Sequence, residues 1–139
     1  MKGGDGLIAL YIGLAGMCGA LVRYAIGVAL ESANANGSAA FPLATLLINL
    51  LGSFALAWLL HAPIVNARMS ERWRTTIGTG FIGAFTTFST FSVETVALLD
   101  SHAWSLAVLY VALSVIGGLA FAWLGGRLAV TAGERRDRV

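Results

Sequence analysis

The sequence predicts an all-α integral membrane protein with four transmembrane helices, the third of them broken at mid-membrane. Three observations carry that expectation. Of 139 residues, 58% are hydrophobic and 12% charged, where soluble domains carry roughly 25% charged residues. Four apolar segments stand at about 7–30, 43–61, 75–99 and 104–126, each close to the ~20 residues that cross a hydrocarbon core. The third contains the run GFIGAFTTFSTFS from Gly80 to Ser92, with two glycines, five hydroxyl residues and four phenylalanines. With so much of the chain assigned to lipid, residues 1–139 are read as a single membrane domain.

The first segment, Leu7 to Leu30, is interrupted only by Arg23. Ala15-Gly16-Met17-Cys18 resembles a lipoprotein signal box, but Met17 is bulky where a small residue is needed and the apolar run continues past it. It is therefore read as a retained span, with the lone Cys18 as a packing residue. A polar loop, Glu31 to Ala40, follows, and Phe41-Pro42 opens the second helix, where the missing proline N–H is spare. The second segment, Leu43 to His61, carries Asn49 near its middle. Pro63 to Arg74 is a loop or short interfacial turn with Arg68, Arg72 and Arg74, anchored by Trp73.

In the third segment, Gly78, Gly80 and Gly83 each lower helix propensity by about 1 kcal/mol relative to Ala. Carbonyls freed by a break at this depth must meet protein, water or an ion, because lipid offers no donor. Phe81, Phe85, Phe88 and Phe91, spaced 4, 3 and 3, share one broad helical face. That face is either a packing surface between helices or the lining of a pore. Asp100-Ser101-His102 is a tight polar turn, and the fourth segment, Trp104 to Gly126, ends at Arg127 ahead of the charged tail Glu134–Arg138. Trp58, Trp73, Trp104 and Trp123 fall near segment ends, as an aromatic belt requires.

Four spans put the N-terminus, the second loop and the C-terminus on one side. That side holds Lys2, Arg68, Arg72, Arg74, Arg127, Arg135, Arg136 and Arg138, eight of the nine basic residues. The positive-inside rule then places both termini in the cytoplasm. A net charge of +2, gathered at segment ends, suits lipid headgroups and gives no reason to expect nucleic acid.

Polar groups at depth mark either a pathway or a buried partner. Arg23 is ~10 Å from its helix end at 1.5 Å per residue, so it either snorkels or pairs structurally, or draws anions into a vestibule. Asn49 is either interhelical glue or pore lining. Glu94 is paired with a base or hydroxyl, or is a proton carrier. Tyr110 and Ser114, four apart, share a face of the fourth helix. No nucleophile–base pair, metal cluster or phosphate loop is evident, so no enzyme is expected; His61 and His102 read as interfacial. Ring edges are electropositive, and with amide and hydroxyl hydrogens they suit a small, strongly hydrated anion, held weakly enough to leave.

The chain resembles the Fluc (CrcB) fluoride channel family over nearly its whole length. The likeness rests on GMCGALVRY (Gly16–Tyr24), TLLINLLGSF (Thr45–Phe54) and GFIGAFTTFSTFSVET (Gly80–Thr95). The resemblance implies a passive fluoride channel of the bacterial cytoplasmic (inner) membrane, built as an antiparallel, dual-topology dimer with two pores along its interface. It implies that Phe88 and Phe91 offer ring edges to fluoride, that Asn49 lines the pore, and that Tyr110 and Ser114 add polar contacts. The carbonyls of Gly83 and Thr86 would hold a structural Na⁺ shared by both protomers, and Thr87, Ser89, Thr90 and Glu94 would form a polar track.

Two features depart from that pattern. Gly118 stands where family members often place a second serine. A dual-topology chain should show little charge bias, whereas this one shows eight basic residues against none; the partner is then either a second copy or an oppositely oriented homologue. Two other classes compete with the channel. A small four-helix proton-coupled multidrug exporter wants an acid in the first span, and none is there. A non-conducting scaffold subunit leaves the polar groups at depth without a use.

Overall fold

In the computed structural model the described residues are 3–33 and 41–136, with side chains described for 6–30 and 41–133. All regular structure among them is helical, and four helical stretches, Gly6–Leu30, Leu43–His61, Glu71–Asp100 and Trp104–Gly133, are long and apolar enough to cross a membrane. Helix α1 is Gly3–Ala33, so Glu31 to Ala33 continue the helix where a loop was expected. Residues 34–40 of that loop, Lys2 and Arg138 lie outside the described residues.

Helix α2, Leu43–His61, starts directly after Pro42, whose carbonyl accepts from Leu46 N at 3.2 Å. It stops at Ala62, which is extended (φ −70°, ψ 113°); the ring of a following proline disfavours helical backbone. Pro63 then opens α3, Pro63–Arg68, and α4, Glu71–Thr75, leads into the third span. The arginine-bearing stretch is thus two short helices.

From Thr76 to Ile82 the third span winds as a π-helix, a form that is rare and concentrates at functional sites. Its glycines serve close packing as well as lowering propensity. A side chain on Gly80 would place Cβ 2.7 Å from the Ile12 carbonyl, and one on Gly19 would overlap the Phe81 carbonyl. Helix α1 and the π segment therefore cross backbone to backbone, as small residues permit in membranes. A short turn, α5 (Gly83–Phe85), is followed by extended residues Thr86 (φ −77°, ψ 158°) and Thr87 (φ −148°, ψ 123°) before α6, Phe88–Asp100.

Helix α6 ends with the hydrogen bonds of a Schellman motif. Ala103 N bonds Leu98 O at 2.9 Å and His102 N bonds Leu99 O at 3.0 Å. His102 takes the left-handed position at φ 60°. Helix α7, Trp104–Arg136, packs along α2, with Gly125 so close that a Cβ would overlap the Phe54 carbonyl. One core cluster (Leu59, Ala62, Val65, Ile82, Ala129) sits at the arginine-rich end and another (Leu46, Leu98, Ala107, Tyr110) at the opposite end. The large apolar side chains left exposed, from Leu7 and Leu10 on α1 to Leu119 and Trp123 on α7, are suited to lipid or to a further protein surface.

Candidate functional site

The site grows from the two extended residues, a non-helical step: Thr86 N still donates to Ile82 O at 3.0 Å, and the N–H of Thr87 turns to a side chain instead. Asn49 of α2 meets that step. Its Nδ2 donates to Thr87 O at 3.0 Å, and Thr87 N donates to its Oδ1 at 2.9 Å. One carboxamide thus satisfies both backbone groups of one residue, and each of its polar atoms keeps one further hydrogen-bonding position. The Thr87 side chain caps α6: its Oγ1 accepts from Thr90 N at 3.2 Å and donates to Thr90 Oγ1 at 2.9 Å, with Ser89 Oγ 3.3 Å away.

Upstream, Thr86 Oγ1 donates to Ile82 O at 3.1 Å and sits 3.5 Å from Gly83 O. Arg23 of α1 donates through Nε to Ala84 O at 3.2 Å. A guanidinium here faces the negative end of a helical segment, so the Nε of Arg23 has a structural partner.

Around the step lies a cavity of about 390 Å³ whose walls include Asn49, Gly83, Thr86, Thr87, Phe88, Phe91 and Ser114. Seven of the residues singled out from the sequence are brought together there. Gly52 lets α2 approach, since a Cβ there would overlap the Thr86 methyl. Phe88 is 79% exposed, so one of the two rings expected to act is largely uncovered among the described residues.

From the cavity a file of rings leads away. Phe88 and Phe91 lie 5.9 Å apart, and Phe91 and Tyr110 5.1 Å apart, between centroids. Tyr110 is fully buried, and its hydroxyl donates to Glu94 Oε2 at 2.7 Å. Thr45 Oγ1 donates to Glu94 Oε1 at 2.8 Å. Both carboxylate oxygens are thus engaged, and Tyr110, expected to add a polar contact, lines neither cavity: its ring packs on Phe91 and its hydroxyl hydrogen is committed to Glu94. Glu94, Thr90, Arg23, Thr45 and Thr87 line a second cavity of about 180 Å³. Thr87 is common to both cavities.

The sequence reading missed Thr45 and Ser53. They flank Asn49 at four-residue steps, a polar stripe along α2 that the i, i+4 rule makes legible. Ser53 Oγ donates to Asn49 O at 2.9 Å and stands 3.9 Å from where a Cβ of Gly118 would be. The position expected to lack a serine therefore faces a hydroxyl from the neighbouring helix.

Four apolar helices, with their interior polar groups gathered at two cavities beside a non-helical step, define a multi-pass membrane protein of the transport class. The comparisons carry this further. A model of the family described as "CrcB-like protein, Camphor Resistance (CrcB)" matches residues 10–126, and the chain belongs to that family. A relative from Bacillus cereus named "Fluoride-specific ion channel FluC 1" is 50% identical over 119 residues, 86% of this chain and 85% of its own length. A "FluC 1" from Desulfitobacterium hafniense is 47% identical over 113 residues, 81% of this chain and 95% of its own. A "FluC 2" from Geobacillus kaustophilus is 40% identical over 133 residues, 96% and 99% respectively.

Proposed function

We propose that this chain is a fluoride-selective ion channel that lets fluoride leave the bacterial cytoplasm by passive electrodiffusion. The observation that carries the reading is the single cavity joining Asn49, Phe88, Phe91 and Ser114, in a chain whose relatives bear that name. Electropositive ring edges and the spare amide and hydroxyl hydrogens replace an anion's water without a fixed positive charge. The anion is then bound weakly enough to move on. Thr87, Ser89, Thr90 and Glu94 continue the polar track, and Arg23 holds the mouth of the second cavity. Thr86–Thr87 is the mid-membrane break of the third helix, and Asn49 bonds the backbone groups of Thr87 there.

The working unit is an antiparallel dimer. In support, Phe88 lies open on this chain and a partner would cover it. The Gly83 and Thr86 carbonyls would suit a structural Na⁺: they border a non-helical step, and Gly83 O has a long, 3.5 Å approach from Thr86 Oγ1. Two carbonyls cannot replace a cation's water shell, so a second subunit completes the set. The charge bias favours an oppositely oriented homologue as that subunit; without one, a second copy takes the place. Reporters on the C-terminus decide: signal from both sides means one chain inserts both ways, and signal from the cytoplasm alone means a homologous partner. The proton-coupled exporter finds no support among the relatives' names.

The test of function is purified protein in liposomes. Fluoride efflux is expected once a cation ionophore shunts the membrane potential, with chloride efflux negligible. No fluoride release under those conditions refutes the reading.

A further inference from the structure

At the arginine-rich end, outside the cavities described above, α2 and α7 enclose a groove of about 630 Å³ lined by His61, Ala122, Trp123, Gly126, Arg127, Val130 and Thr131. Its chemistry is divided. Ala122, Val130 and the Trp123 ring make an apolar wall, while Arg127 and His61 bring basic groups to one end. The Arg127 guanidinium lies 4.9 Å from the Trp123 ring centroid, a cation–π contact that holds the charge in place while leaving its N–H donors unspent. Among the described side chains no carboxylate pairs with it. Because Nδ1 of His61 lies 2.8 Å from Ala57 O, and a carbonyl only accepts, Nδ1 carries the hydrogen. The other ring nitrogen, Nε2, then gains a donor when the ring is protonated. Gly126 lets the imidazole lie close to α7, with His61 Nδ1 3.6 Å from where a Cβ would stand.

Depth fixes the ligand. Trp104 and Trp123 are 19 residues apart, or ~29 Å along a helix, which matches a hydrocarbon core of about 30 Å. Arg127 is one turn further, ~35 Å from Trp104 at 1.5 Å per residue, and so at headgroup level. Basic pockets between helices at this level suit anionic lipid headgroups. We infer that the α2–α7 groove is a binding site for an anionic phospholipid, its phosphate on Arg127 and His61 and the start of an acyl chain along Ala122, Trp123 and Val130. The site is separate from the conduction reading and does not require it.

The test uses the full-length protein in neutral detergent, titrated with dioctanoyl-phosphatidylglycerol, with dioctanoyl-phosphatidylcholine, and with inorganic phosphate. The readout is the thermal unfolding midpoint. The phosphatidylglycerol should raise the midpoint saturably and the other two should not. Arg127→Gln should raise the half-saturating phosphatidylglycerol concentration about fivefold, the value of one basic side chain near an anionic surface. Arg127→Lys should recover most of that loss. Should Arg127→Gln fail to fold, His61→Gln carries the same comparison, with a weaker loss expected. Equal shifts from both lipids, a variant that titrates like the wild type, or inorganic phosphate matching phosphatidylglycerol each overturns the assignment, the last pointing to a soluble-anion site.

Discussion

Replacing Asn49 by Ala removes both hydrogen bonds that a side chain makes to the Thr87 backbone. The structure gives two hydrogen bonds, 3.0 Å to the carbonyl and 2.9 Å from the N–H, at the residue that caps α6. Leaving a buried polar group unpaired costs about 1–3 kcal/mol, whereas interhelical hydrogen bonds in membranes average only ~0.6 kcal/mol, because unfolded states also find partners. The adjoining cavity can admit water, which pulls the sum toward the lower part of the range. The expected loss is therefore about 2 kcal/mol for the pair, less than twice the single-group maximum. Ser53→Ala is the matched control: its hydroxyl bonds only a carbonyl of its own helix, so it should cost under about 0.5 kcal/mol. Reversible unfolding in mixed micelles measures both. Fluoride efflux through Asn49→Ala should fall more than about tenfold, since a site loosened by 1 Å ceases to work. An Asn49→Ala protein as stable as Ser53→Ala would refute the clamp, and with it the claim that this side chain holds the non-helical step.

Three further substitutions test other parts of the argument. Phe91→Ile removes the ring between Phe88 and Tyr110 while keeping an apolar side chain, so efflux should drop by about tenfold or more with only about 1 kcal/mol of ring-pair stability lost; unchanged flux would mean ring edges are not used. Glu94→Gln leaves one acceptor for Thr45 and Tyr110 and removes the charge; efflux should persist at a reduced rate, and an imposed pH gradient should not drive it in either protein, as a proton carrier would require. Gly19→Ala forces a methyl into the Phe81 carbonyl, and overpacking of this kind costs about 1–3 kcal/mol; a melting temperature equal to wild type would show that α1 and the π segment are not locked together.

The four spans were legible because lipid demands long apolar runs and the chain has few charges to obscure them. The boundaries were less so. Helix α7 runs on to Arg136 because no proline interrupts Arg127 to Arg136 and Gly133 lies close against Pro63, while hydropathy marks only where lipid stops. The two helices within Pro63–Arg74 were not legible because α3 and α4, six and five residues long, are too short to leave a periodic signal. In the site, seven of the residues singled out from the sequence share one cavity, five of them from the hydroxyl-and-ring run. Which partner each polar group takes was not legible. Arg23 and Ala84 are 61 positions apart, and only the crossing at Gly19 and Gly80 brings them within reach.

One dependence among the helices follows from these contacts. The non-helical step at Thr86–Thr87 is held from two sides, by Arg23 of α1 on the Ala84 carbonyl and by Asn49 of α2 on Thr87. Each grip needs its helix close, and closeness is set by glycine: Gly19 and Gly80 on one side, Gly52 on the other. A side chain at any of these positions pushes away the helix whose polar group matches the freed backbone, so packing and polar satisfaction fail together. This is why Arg23 on α1 and Asn49 on α2 are tolerated at depth: each answers a backbone group that lipid cannot.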